Sequence, residues 1–217
     1  MKKIGILAVM VLGFASVSHA AACPTASLST YLSSFGFPPG TGSCTVGTLT
    51  FTDFIFTPSG TGVPDASSIM VTPNGSTLAF TFNGSWTASG TSSGDTTIQF
   101  SVIGGGITGI TAQVQAGSCT SPGTFGLSEN VFAGVNSLSN PLGNLGIVCS
   151  NAAASVSFAP QTSITIVKDL GVHGNITGSA QVSQFTDAIG TPEPASVMML
   201  GTGLLGLAGI FRRKLAR

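Results

Sequence analysis

Between residues 49 and 182 apolar side chains alternate with Thr, Ser, Gln or Ala at a period of two, a pattern that leaves the chain few folds to choose from. The clearest runs are Leu49-Thr50-Phe51, Phe54-Ile55-Phe56, Ile69-Met70-Val71, Leu78-Ala79-Phe80-Thr81-Phe82, Ile98-Gln99-Phe100-Ser101-Val102 and Ile110-Thr111-Ala112-Gln113-Val114. Ser155-Val156-Ser157-Phe158, Ile164-Thr165-Ile166-Val167 and Ala180-Gln181-Val182 continue them. Successive side chains of a strand point to opposite faces, so each run reads as a half-buried strand. Pro58-Ser59-Gly60, Pro73-Asn74-Gly75, Ser93-Gly94-Asp95, Gly104-Gly105-Gly106 and His173-Gly174-Asn175 punctuate the runs with residues that suit turns. Outside the termini no twelve-residue amphipathic helix stands out, and nothing recurs at a fixed period of about 20–50 residues. Residues 121–149, with Asn or Gly every few positions, read as a long loop. The expected fold is all-β: an antiparallel β-sandwich, jelly-roll-like in outline.

Charge is scarce over this stretch. Residues 21–191 hold one cation, Lys168, against Asp53, Asp65, Asp95, Glu129, Asp169 and Asp187, a net of −5 that the neutral balance of the whole chain conceals. Such a surface has no electrostatic footprint for nucleic acid or anionic lipid. The same stretch carries twelve phenylalanines, from Phe35 to Phe185, which a disordered chain would not. About 170 residues suffice for one core.

The four cysteines, Cys23, Cys44, Cys119 and Cys149, form no C-x-x-C and sit in no zinc-like spacing with histidine. In an oxidising compartment an even count reads as disulfides. Three pairings can be drawn; closing the shortest loops favours Cys23 with Cys44 and Cys119 with Cys149. No metal site or cofactor is expected.

Both ends of the chain carry addresses. Lys2-Lys3, the apolar run 4–17 and the small-x-small site Ser18-His19-Ala20 make residues 1–20 a secretory signal peptide, which directs the chain to the general secretion machinery. At the other end Pro192-Glu193-Pro194 precedes seventeen uncharged residues, 195–211, and then the cations Arg212, Arg213 and Lys214. As a helix the uncharged run reaches roughly 25 Å, the short end of a bilayer span. Pro194 suits its first turn, and the basic cluster acts as a membrane stop on the cytoplasmic side. The expected layout is a signal peptide (1–20), an exported β-rich domain (21–186), a linker (187–191) and a sorting tail (192–217).

Residues 191–217 resemble the PEP-CTERM sorting signal of Gram-negative bacteria in its tripeptide, its glycine- and leucine-rich helix and its terminal arginine cluster, with Thr191 where that family often has Val. The resemblance implies recognition and processing near the tripeptide by an exosortase-like membrane peptidase. It also implies a transient inner-membrane anchor, a destination at the cell surface or in the extracellular matrix, and the company of extracellular polysaccharide in a biofilm.

Candidate chemistry in the exported domain is thin. Gly90-Thr91-Ser92-Ser93-Gly94 matches G-x-S-x-G, and Ser92, Asp169 and His173 follow one another in α/β-hydrolase order. The helix that must follow such a serine is missing from the pattern, although alternation places Asp169 and His173 on one strand face. The carboxylates have simpler accounts: turns for Asp65 and Asp95, a strand-end surface charge for Asp169 beside Lys168, and the start of the linker for Asp187. Asp53, between Phe51 and Phe54, reads as a bulge. Trp86 reads as a core anchor, with a sugar-stacking platform as the alternative, for which Tyr31 also qualifies. Asn74-Gly75-Ser76, Asn83-Gly84-Ser85 and Asn175-Ile176-Thr177 match the glycosylation sequon, the first two being strong turn signals as well. The expectation is a structural or adhesive protein with no catalytic residues; the alternatives are a carbohydrate-binding module using Trp86 and a secreted hydrolase using paired carboxylates. A groove holding Trp86 alone would favour binding, and one holding paired acids would favour an enzyme.

Overall fold

The computed structural model describes residues 20–36 and 42–191. The signal peptide up to residue 19, the tripeptide Pro192-Glu193-Pro194, the expected membrane helix 195–211 and the cations Arg212, Arg213 and Lys214 lie outside the described residues. Among the described residues, no helix is long and apolar enough to cross a membrane.

The period-two runs form strands. In chain order the elements are β1 (Ala21–Ala22), β2 (Ala26–Ser27), α1 (Leu28–Phe35), β3 (Cys44–Val46), β4 (Leu49–Gly60), β5 (Met70–Asn74), β6 (Ala79–Ser89), β7 (Ser93–Thr120), β8 (Thr124–Ala133), β9 (Pro141–Val148), β10 (Ala153–His173) and β11 (Ser179–Gly190). All eleven strands belong to one hydrogen-bonded sheet. The length of β7 and β10 explains why the sheet does not divide in two. They pair with each other antiparallel almost throughout, with register shifts between Ser157 and Ser163, opposite Gly104-Gly105-Gly106. Three glycines in succession remove the side chains that would keep the ribbon flat, and the sheet curls there. Before the curl, β7 has β4 on one side and the second half of β10 on the other, and this arm continues through β8 to β9. After the curl its partners are β11 and the first half of β10, and the second arm continues through β6 to β5. The all-β expectation holds; the architecture is one curled sheet with two facing arms, joined through β7 and β10.

Aromatic rings fill the space between the arms. Phe51, Phe54 and Phe100 come from the first arm and Phe80, Phe82, Trp86 and Phe185 from the second, all of them buried. Phe51 and Phe80 meet edge-on across the interior with centroids 4.5 Å apart. Burying each such ring contributes roughly 1.5–3 kcal/mol. Asp53 is the bulge its sequence suggested: it takes φ 57°, and the β4–β7 register shifts between Thr52 and Ile55. The extra residue turns both Phe51 and Phe54 inward, which strict alternation would forbid.

The disulfides join Cys23 to Cys44 and Cys119 to Cys149, the two short loops. Helix α1 was not expected, although Leu28, Tyr31, Leu32 and Phe35 stand at helical spacing. It turns Leu28 and Tyr31 into the core, where the Tyr31 ring packs edge-on against Phe54 and Phe80.

Three further expectations need correction. Residues 121–149 are not one long loop, since they supply β8 and β9; Phe125, Leu127, Glu129 and Val131 do alternate inward, but a glutamate in the third position and glycines outside hid the pattern. The linker begins later than residue 187, because β11 runs to Gly190 and buries Asp187. The strand-end surface charge expected at Asp169 lies within β10 instead, and its neighbour Lys168 faces inward and is 0% exposed.

Around Lys168 the core is ionic. Its ammonium donates a hydrogen bond to Asp187 Oδ1 and touches Glu129 Oε1, with both acids buried and the Phe185 ring centroid 5.0 Å away. Glu129 stands directly opposite Lys168 on the neighbouring strand, whereas Asp187 reaches in from the other arm. Burial pushes the Lys168 amine down and the Asp187 carboxyl up, against their mutual attraction.

Candidate functional site

The outward faces of β10 and its neighbours form an open cleft of ≈ 420 Å³. Strand register builds it row by row. Asp95 on β7, Gly171 on β10, Gly126 on β8 and Val148 on β9 stand side by side, and the next row holds Asp169, Ser128 and Gly146. His173 closes one end beside Thr124. Glycines floor the trough: a Cβ on Gly126 would meet nothing within 4 Å, and one on Gly146 only the Leu127 carbonyl oxygen at 3.9 Å. The imidazole of His173 leans over the remaining floor, its Nε2 3.3 Å from where a Gly171 Cβ would stand.

Asp169 and Asp95 are the charged pair of this cleft. Protonated Asp169 donates to the Asp95 carboxylate; burial first, then that hydrogen bond and the repulsion between the two, push Asp169 up from 3.8 to about 6. Asp169 Oδ1 is shut off from solvent and has no hydrogen-bond partner in the protein. Asp169 is thus the carboxyl of this cleft whose proton is held toward neutral pH.

The other candidates are dispersed. Trp86 is 0% exposed, its Nε1 donating to Thr96 Oγ1 across the arms at 2.9 Å, so its ring offers no face to a sugar. Tyr31 is equally buried and donates to the Pro24 carbonyl oxygen at 2.6 Å. The sugar-platform alternative for both is corrected by the packing of the core. Asn83-Gly84-Ser85, expected as a turn, lies inside β6, where a Cβ at Gly84 would come within 2.7 Å of the Trp86 ring. Asn74 does make its turn, accepting the Ser76 N–H at 3.0 Å.

Ser92 sits in the turn between β6 and β7, with strands on both sides and its hydroxyl bonded to the Ser89 carbonyl and N–H, each at 2.7 Å. The Gly174 N–H binds the Ser92 carbonyl at 2.9 Å, which brings the His173 strand end beside this turn. No hydrogen bond joins the Ser92 and His173 side chains among the described residues. Nor do three or more His, Cys, Asp or Glu side chains converge there as a metal site. Sequence reasoning placed Asp169 and His173 on one face, yet missed the cleft because the glycines that floor it carry no signal of their own. The register partner of Gly171 is what brings Asp95 to Asp169.

Comparison with known proteins bears on the tail. Residues 191–214 match the PEP-CTERM protein-sorting motif. No curated protein matches the chain. Among solved structures, similarity extends to TmCBM61 in complex with β-1,4-galactotriose, at TM-score 0.33 and 10% identity over 73% of this chain and 94% of that one. The family 32 CBM of NanJ from C. perfringens, in complex with galactose, gives TM-score 0.26 and 12% identity over 61% and 93%. The Glycosylation Associate Protein (Gap123) complex from Streptococcus agalactiae gives TM-score 0.31 and 8% identity over 62% and 26%. Superpositions this loose do not align sites, and no ligand is inferred from them.

Proposed function

We propose that the chain is an exported cell-envelope or extracellular-matrix protein that an exosortase-like peptidase sorts and processes. Its β-rich domain, a jelly-roll-like sandwich in outline, is structural or adhesive rather than enzymatic and associates with extracellular polysaccharide of a Gram-negative biofilm. The observation that carries this reading is a junction: β11 ends at Gly190, and the sorting motif begins at residue 191. A folded domain abutting the motif leaves the tail as the handle by which the domain is delivered. In this reading the general secretion machinery removes residues 1–20, helix 195–211 holds the protein in the inner membrane, and processing releases it.

A carbohydrate-binding role is the second reading, and the outer cleft supports it better than Trp86 does. Its open glycine floor would admit a flat sugar ring, and Asp95, Asp169, Ser128 and His173 offer hydrogen bonds around the rim. The same paired acids, Asp95 and Asp169, are what the hydrolase alternative would use.

Replacing Glu193 with Ala in a host that has an exosortase tests the main reading. The expected result is a full-length species retained in the membrane fraction, while the parent is shortened and released. Processing of the variant at the parental rate would refute it.

A further inference from the structure

Lys168 is the one cation between Lys3 and Arg212, and the fold spends it in the core. Three strands converge there: β10 brings the amine, β8 Glu129 and β11 Asp187. One ammonium cannot neutralise two carboxylates. Apart from their contact with Lys168, the Glu129 oxygens and Asp187 Oδ2 are buried with no hydrogen-bond partner from the protein. What the cluster does hold is an amine, a carboxyl aimed at it and a second carboxyl alongside, all three buried.

We propose that Lys168 and Asp187 condense into an intramolecular isopeptide bond, Nζ to Cγ, with Glu129 as the group that carries the proton. The amine lone pair attacks Cγ of the protonated Asp187 carboxyl, forming the N–C bond. Glu129 accepts a proton from Nζ and returns it to the departing hydroxyl. The C–O bond breaks, one water leaves, and Glu129 ends as it began; no oxidant or cofactor is needed. Burial favours the two reactive forms, a neutral amine and a neutral acid. Holding both groups in contact replaces a bimolecular encounter. Asp187 is the electrophile because it receives the directed hydrogen bond from Nζ and lies across the interior, while Glu129 flanks Lys168 on the adjacent strand. The link spans 19 residues of sequence and ties the two arms together.

The sequence supplies its own assay, since Lys168 is the one tryptic site between Lys3 and Arg212. The exported protein is unfolded, reduced, alkylated and treated with trypsin. An acylated lysine is not cut, so the parent domain should stay in one piece and weigh one water less than its sequence requires. Glu129→Gln should regain the full mass and be cut in two at Lys168, and Asp187→Ala likewise. If either variant fails to fold, the parent alone decides: cleavage at Lys168 with full mass overturns the proposal. Fragment sequencing that finds Lys168 joined to Glu129 would overturn the assignment of Asp187 as electrophile.

Discussion

Asp169 shows how a single side chain in a sparsely charged domain acquires a measurable role. Its carboxyl is held up to about 6 by burial and by Asp95, so the folded state binds its proton more tightly than the unfolded chain does. Linkage fixes the sign: the stabilisation is fully present below 3.8 and is lost as pH rises through about 6. Asp169→Asn keeps a neutral donor toward Asp95 at every pH. Thermal melts of parent and variant should therefore agree near pH 4 and diverge toward pH 7, with the variant the more stable. Parallel melting curves across that range would mean that folding does not raise the Asp169 carboxyl. At this scale the sequence was deceptive where it mattered most. Asp169 and Lys168 are neighbours, yet alternation sends one into a surface cleft and the other into the core.

Among the elements, those with an uninterrupted apolar period were legible and those with a polar residue turned inward were not. Strands β4, β6 and the first half of β7 could be read from Phe51, Phe80, Phe82 and Phe100, and even the bulge at Asp53 was visible as a break in their rhythm. Strand β8 was lost because Glu129 occupies an inward position, and β9 because Gly143 and Gly146 dilute Leu145 and Ile147. The cleft shared their fate, being a property of register among β7, β10, β8 and β9 rather than of any one of them. It can be tested at Gly126, where an added side chain meets open space. Gly126→Tyr should fill the trough at a stability change of about 0.5 kcal/mol, as for an unobstructed surface position. Affinity electrophoresis in the host's extracellular polysaccharide should show retardation of the parent and its loss in this variant. Equal retardation of both proteins would place any polysaccharide contact elsewhere.

For the whole molecule, the two arms are inseparable because β7 and β10 belong to both. Both strands run unbroken through the curl from one arm to the other, and the Phe51–Phe80 contact binds the inner faces of the arms. Calorimetry should accordingly record one cooperative transition with matching calorimetric and van't Hoff enthalpies. Two resolved transitions would show that the arms melt as separate units.

The chain leaves the sheet from the end of β11, and β11 is hydrogen-bonded on both sides, to β6 and to β7. Any tension transmitted through residue 191 is therefore directed along a strand flanked by two ladders, which resist it in shear, many bonds loaded together rather than opened one after another. A domain pulled from this end loads two ladders of hydrogen bonds at once.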